Sequence, residues 1–483
     1  MNRLSMVMHD LNKFYINGQW VEPNGQERLD VLNPATEQVV SRLSVGSPVD
    51  VDCAVQAASA AFEHFSQTDK PYRMALLERI IEQYQARIEE LALATTEEMG
   101  APIVFSRRAQ VMAGLEHLTV ALNVLKENDF TERLGTTTIV KEPVGVCGMI
   151  TPWNWPLNQM ACKVAPALAA GCTMVLKPSE LAPRTAYIFA QILEDAGVPA
   201  GVFNLINGTG ALVGAALSAH PLVDMISFTG STRAGKQVSI AAAENVKRVS
   251  LELGGKSANI ILDDVDFSTV ITRSVKAVMS NTGQSCNART KIVVPEHRLA
   301  DTIEIAKAAA ESIRVGDPMS DKTQMGPVAS FQQWERVQAF IQQGIDQGAL
   351  LVTGGLGRPA GLEKGCFVRP TVFAHVTPAM TIAQEEIFGP VVSIMAYKTE
   401  EEAIAIANSS IYGLSGGVCS ADVQRAKRVA ARLRTGTVHL NDAATDMRAP
   451  FGGYKQSGNG REWGRYGVDE FMETKAIFGD LSN

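Results

Sequence analysis

Met225-Ile226-Ser227-Phe228-Thr229-Gly230-Ser231-Thr232-Arg233-Ala234-Gly235-Lys236 reads as a buried strand, a glycine turn and the start of a helix. Backbone amides at such a helix start are placed to bind a phosphate. The same alternation extends to both sides. Strands are expected at 144–150, 173–177, 202–206, 225–228 and 249–253, with helices at 160–170, 185–196, 211–219 and 234–243. Gly171 and Gly197 close two of those helices. Repeated strand–helix units predict a parallel, doubly wound sheet. Ligands of such sheets sit beyond the carboxyl ends of the strands. Here those ends are Trp153-Asn154, Lys177-Pro178-Ser179-Glu180, Thr229-Gly230-Ser231 and Glu252-Leu253.

A second α/β unit begins near Gly255, with strands expected at 258–262 and 291–294 and helices at 298–312, 331–347 and 422–433. Upstream, Asn17-Gly18 between two apolar runs predicts a hairpin. A long helix is expected over 71–99, with Leu77, Ile80, Ile81, Tyr84, Ile88 and Leu91 on one face and Gly100 and Pro102 as its stop. Residues 131–140 are a β-branched excursion between helices, suited to an edge hairpin or an oligomer contact. The tail, 470–478, is a short mixed segment expected to pair with another subunit.

The chain of 483 residues is too long for one ordinary core. Its hydrophobic content of 46%, charged content of 20% and net charge of -7 describe a soluble globular protein and exclude a nucleic-acid binder. The first twenty residues lack the apolar core of a signal peptide. The most apolar stretch, 164–176, is too short to span a bilayer. Seven scattered cysteines fit a reducing compartment, and neither cysteines nor histidines show metal-ligand spacing. A cytoplasmic enzyme without metal, without nucleic acid and without membrane is the expectation.

Two further stretches carry chemistry. Leu251-Glu252-Leu253-Gly254-Gly255-Lys256 presents a carboxylate before a glycine pair, and Gly283-Gln284-Ser285-Cys286-Asn287-Ala288-Arg289 presents a cysteine among polar neighbours. A lone cysteine is usually a small buried hydrophobe. Gln284, Ser285 and Asn287 are poor core residues, which sets Cys286 apart. Its thiolate is a strong nucleophile, and Glu252 is a candidate base, acting directly or through a water. Asn154, between two tryptophans, has a side-chain amide suited to a developing oxyanion alongside the Cys286 amide. Glu180 at a strand end suits both hydroxyls of a ribose and repels a 2′-phosphate.

These stretches, with Thr151-Pro152-Trp153-Asn154-Trp155-Pro156, Glu385-Glu386-Ile387-Phe388-Gly389-Pro390 and Pro450-Phe451-Gly452-Gly453-Tyr454-Lys455, resemble the NAD(P)-dependent aldehyde dehydrogenase superfamily. The likeness runs from Phe14 to Phe478. It implies an α/β fold of two doubly wound domains with a small β oligomerisation arm. The implied division is 1–122 and 144–254 for the NAD-binding domain, 255–467 for the catalytic domain, and 123–143 with 468–483 for the arm. It implies Cys286, Glu252 and Asn154 as catalytic residues. It implies NAD as cofactor, held by Ile150, Trp153, Lys177, Glu180, Gly210, Phe228, Thr229, Gly230, Ser231, Leu253, Glu386 and Phe388. An aldehyde substrate and a homodimer or homotetramer follow from the same likeness.

Other readings stand beside it. The stretch Gly230 to Lys236 is nearly a P-loop, and Asn259-Ile260-Ile261-Leu262-Asp263-Asp264 mimics a Walker B strand, which suggests a nucleotide triphosphatase. Gln237 stands where a P-loop needs Ser or Thr for magnesium. No GxGxxG occurs, and two helix-packing glycines would also explain the stretch. A catalytically silent binding protein on the same fold is a third class. Within the enzymes, Glu252 favours hydrolysis over acyl transfer to CoA.

The resemblance places Trp155, Gln159, Cys162, Ser285, Asn287 and the loop from Asp442 to Arg448 at the substrate entrance. Small Ser285, Asn287, Ala443 and Ala444 predict a medium-sized neutral aldehyde. Arg448 is a candidate partner for a substrate carboxylate, unless Asp442 or Asp446 neutralises it.

Overall fold

The computed structural model describes residues 8–481. The ends of the expected first domain and arm, 1–7 and 482–483, lie outside them. An eight-stranded sheet and a seven-stranded sheet form the two main layers, and two three-stranded sheets flank them. The eight-stranded sheet runs, in spatial order, Gly458–Asn459, Arg248–Glu252, Met225–Thr229, Val146–Ile150, Thr173–Lys177, Phe203–Leu205, Phe14–Ile16 and Gln19–Val21. Its five central strands are parallel. Their side chains are almost wholly buried, as expected where helices cover both faces.

The strand order reverses between Val146–Ile150 and Met225–Thr229. From the first of these the chain winds outward through Thr173–Lys177 and Phe203–Leu205, then crosses back to Met225–Thr229. A crevice opens at such a switch point. The Trp153-Asn154 loop and the Gly230-Ser231 turn therefore face each other across it. Ser231 caps the helix Thr232–Ala243, its Oγ accepting from the Ala234 amide at 3.3 Å.

The seven-stranded sheet runs Leu350–Thr353, Thr371–Ala374, Val391–Tyr397, Lys291–Pro295, Ala258–Ile261, Ser415–Cys419 and Thr437–Leu440. Only its first pair is antiparallel. Gly458–Asn459 reaches back from far along the chain to pair with Leu251 and Glu252. That strand ties the carboxylate's end of the first sheet to the C-terminal part of the chain.

Two local expectations are corrected. The long helix over 71–99 is two helices, Lys70–Ala86 and Ile88–Met99, because Arg87 leaves helical geometry at φ -114 and ψ 16. Its guanidinium is held by Glu90 and Gln191, an arrangement that a search for Gly or Pro does not find. The segment 211–219 is a π turn, Gly210–Gly214, followed by the short helix Ala215–Ala219. The tail strand Met472–Phe478 pairs along its length with Thr137–Pro143 of the same chain, and Thr131–Leu134 completes that sheet. The Asn17-Gly18 hairpin forms as expected, both residues taking positive φ. Among the described residues no helix is long and apolar enough to cross a membrane, and no cluster suits a metal ion.

Candidate active site

A cavity of about 180 Å³ opens at the switch point. Trp153, Asn154, Thr229, Gly230, Ser231, Glu252, Leu253, Cys286, Glu386 and Phe388 line it, together with Pro152, Gly254, Gln333 and Arg336. Glu252, at the end of a strand of the first sheet, and Cys286, in the loop before the strand Lys291–Pro295 of the second, thus line one cavity.

Glu252 ends its strand and is buried, and neither carboxylate oxygen has a hydrogen-bond partner among the described residues. Burial, and then the charge of Glu462, push its carboxyl well above the usual range. An orphaned buried carboxylate is costly and marks a functional group. Gly452 makes room for it: a Cβ there would stand 2.7 Å from Glu252 Oε1.

Cys286 keeps partial exposure to the cavity. Desolvation, and then the carboxylates of Glu386, Glu252 and Glu462, push its thiol up, so the resting group is protonated. The turn before it carries strain. Asn281 and Thr282 stand at φ 51 and φ 56, and Gly283 follows at φ 71. Left-handed geometry is unusual for a β-branched threonine and persists only where surroundings enforce it. Asn281 Nδ2 donates to Asn154 O at 3.0 Å and to Gln284 O at 3.1 Å. Gln110 Nε2 also donates to Asn154 O, and the Asn154 side chain donates to Gln284 O at 3.0 Å. This network fixes Asn154 against the cysteine loop.

Gly254 and Gly255 permit two close approaches. A Cβ on Gly254 would lie 2.3 Å from Glu386 Oε2, and one on Gly255 would lie 2.5 Å from Cys286 O. The Gly255 amide donates to Glu386 Oε1 at 3.1 Å. Burial pushes Glu386 up to about 7, against the pull of that amide. Phe388 takes φ 59 and meets Trp153 edge-on at 5.5 Å between ring centroids. Gln333 Nε2 holds Phe388 O at 2.8 Å, and Arg336 holds Glu386 O at 3.0 Å. Gln333 and Arg336 were missed in the sequence, where they read as an amphipathic helix surface.

Ile150, Lys177, Glu180, Gly210 and Phe228 lie beyond the cavity wall, along the carboxyl edge of the same sheet or beside it. Ile150 and Lys177 are register partners on neighbouring strands, and Lys177 Nζ donates to Glu180 Oε2 at 3.1 Å. Gly210 opens the π turn, whose Gly214 lies beside Ile150. Phe228 packs under Gly230, where a Cβ would stand 2.6 Å from the ring.

The expected entrance residues divide. Trp155, Ser285, Asn287, Ala443 and Ala444 line a second cavity. Gln159 and Cys162 are buried instead, and the Cys162 thiol points to Glu462 Oε2 at 3.4 Å. Arg448 is taken by Asp446, at 2.9 Å from Nε and 2.7 Å from Nη2, and its side chain is 81% exposed. Asp442 pairs with Arg273 and Arg289, not with Arg448.

A model of the aldehyde dehydrogenase family matches residues 20–477. A 3-succinoylsemialdehyde-pyridine dehydrogenase from Pseudomonas sp is 58% identical over 98% of this chain and 99% of its own. A mutant of aldehyde dehydrogenase C from Pseudomonas syringae, crystallised with NAD+ and octanal, superposes with a TM-score of 0.97 at 52% identity, covering 98% of this chain and 97% of the other. A betaine aldehyde dehydrogenase from Staphylococcus aureus with NAD+ reaches a TM-score of 0.94 at 38% identity, covering 98% and 95%.

Proposed function

The chain belongs to the aldehyde dehydrogenase family, and from that premise we propose how its residues carry out NAD-dependent oxidation of an aldehyde to its carboxylic acid. The reading rests on one observation: Cys286, the unpartnered Glu252 and Asn154 line the same cavity.

Cys286 is the nucleophile. Its thiol loses a proton to Glu252, directly or through a water, and the sulfur attacks the aldehyde carbon. The Asn154 side chain and the Cys286 amide stabilise the oxyanion of the thiohemiacetal. NAD held in the cavity would supply the hydride acceptor for that carbon. Glu252 passes the first proton to solvent, then takes one from the water that attacks the Cys286 thioester and returns it to the departing sulfur as the acid is released. Lys256, buried without an acceptor among the described residues and pushed down to about 7, chiefly by burial, is assigned no step.

The residues present fit the dinucleotide. Thr229, Gly230 and Ser231 form the helix start that would receive the pyrophosphate, with Phe228 beneath it. Lys177 and Glu180 would hold the adenosine ribose, near Ile150 and Gly210. Glu386 would hold the nicotinamide ribose, while Phe388, Trp153 and Leu253 would flank the ring. This assigns 1–122 and 144–254 to cofactor binding and 255–467 to catalysis.

The triphosphatase alternative finds no support. Lys236 and Gln237 are exposed on the helix, away from any phosphate at its start. Catalytic silence finds none either, since the catalytic set is assembled. The substrate is a medium-sized aldehyde, a reading supported by the octanal and pyridine-semialdehyde relatives. The arm, 123–143 with 468–483, is assigned to a homodimer or homotetramer, in keeping with the fully exposed Thr131–Leu134 edge. The cytoplasm is the assigned compartment, in keeping with seven free thiols. The test is NADH formation from octanal, benzaldehyde, acetaldehyde and succinic semialdehyde. Turnover must vanish in Cys286→Ala while the variant still folds and binds NAD. Retained turnover there rules the mechanism out.

A further inference from the structure

The second cavity has a volume of about 250 Å³ and shares no lining residue with the first. The two divide the same pair of loops between them: Asn154 and Cys286 face one, and Trp155, Ser285 and Asn287 face the other. Trp155 Nε1 donates to Ser285 Oγ at 2.8 Å and closes one end of the wall.

The far wall is polar. Arg289 lines it, with Asn259, Ser274, Ser280 and His439. Asp442 accepts from Arg289 Nη2 at 2.9 Å through one oxygen and from Arg273 Nε at 2.7 Å through the other. Asn259 also donates to Asp442, at 3.4 Å. Two guanidinium groups therefore share one carboxylate, and the group carries a net positive charge. The Arg273 side chain is 46% exposed and water screens it, whereas that of Arg289 is 16% exposed and faces the cavity. Arg289 has five N–H donors, and Asp442 is its one side-chain acceptor among the described residues. His439 adds no second positive charge. Its Nδ1 is bonded to Ala443 O at 2.8 Å, and burial lowers its pKa.

We infer that Arg289 is a specificity-determining residue that receives a hydrogen-bond acceptor, a carboxylate or ketone oxygen, carried by the aldehyde away from its reacting carbon. The inference rests on Cys286 being the nucleophile and on the aldehyde approaching past Trp155, Ser285 and Asn287. A plain alkyl chain seated there strips water from the Arg289 N–H groups and offers nothing in return. Sites built to hydrogen-bond a substrate reject analogues that lack the bonding group.

The full-length enzyme with NAD is assayed on two matched pairs, succinic semialdehyde against pentanal and 4-oxo-4-phenylbutanal against 4-phenylbutanal. The acceptor-bearing member of at least one pair is expected to lead in kcat/KM by about tenfold or more. That lead collapses in Arg289→Met, where Asp442 keeps Arg273 as partner, and persists in Arg273→Met. Arg289→Gln serves if the Met variant does not fold. The pair that responds tells a charged acceptor from a neutral one. Ratios near one in the wild type, or a lead that survives the loss of Arg289, overturn the inference. An enzyme that oxidises none of the four aldehydes overturns the Cys286 reading instead.

Discussion

Lys163 and Glu462 form an ion pair sealed from solvent, and Ser227 Oγ lies 3.0 Å from the same ammonium. Lys163 stands in the helix Pro156–Ala170, every residue of which is buried. Glu462 is itself the bridge partner of Phe451. After burial, the Glu462 charge is the main cause that raises Glu252, and Lys163 pulls the other way. The pair is thus part of the structure and part of the base's electrostatics.

Glu462→Gln separates the two roles. Breaking a buried pair from one side should cost about 3–5 kcal/mol of stability, measured by denaturant unfolding. Removing the negative charge lowers the Glu252 pKa, so the acid limb of kcat moves to lower pH. A limb that does not move would mean that Glu252 does not govern it.

Glu252→Gln should lose steady-state turnover and slow any burst of NADH, because the same carboxylate takes the thiol proton before acylation and activates the hydrolytic water after it. In the wild type the base must be ionised. Its raised pKa places the loss of rate, on acidification, above the usual carboxylate range. An unchanged steady state in the variant removes Glu252 from the mechanism.

Glu180 is expected to set the cofactor choice. A 2′-phosphate beside this carboxylate meets like charge in a partly dry site. NAD should exceed NADP in kcat/KM by about tenfold or more, and Glu180→Ser should narrow the gap. Equal efficiency with NADP in the wild type contradicts the assignment. Lys177, which already holds Glu180, should weaken both cofactors alike when changed to Met.

Gly452→Ala puts a methyl group 2.7 Å from Glu252 Oε1 and 2.8 Å from Gly460 O. The Gly460 carbonyl is backbone and yields little, so the carboxylate must shift. A displaced catalytic group costs on the order of 100-fold in rate. Steady-state kcat should fall while NAD affinity, measured by fluorescence quenching, stays within twofold or so, a margin of less than about 1 kcal/mol. An unaffected kcat would show that Glu252 tolerates movement.

The doubly wound sheet and the residues at its strand ends were legible because local signals fix them. Buried apolar runs, glycine stops and the Gly230 turn each speak for themselves. What escaped is held by partners distant in sequence. Nothing near Lys163 announces Glu462, and nothing in the 331–347 helix announces that Gln333 and Arg336 hold the Phe388 and Glu386 backbone. Asn281 and Gly283 did carry a hint of left-handed turns, but Thr282 between them did not. Arg448 was weighed as a substrate partner because its charge is visible in the sequence and its capture by Asp446 is not.

The division of two loops between two cavities has a consequence for how the protein can change. Trp153, Asn154 and Cys286 look one way, and Trp155, Ser285 and Asn287 look the other. Neighbouring positions along two short runs of chain thus answer to separate demands. Substitution at 155, 285 or 287 can reshape what the protein accepts without touching the side chains that perform the reaction. The reacting groups and the selecting groups are adjacent in the chain yet free to drift apart over generations.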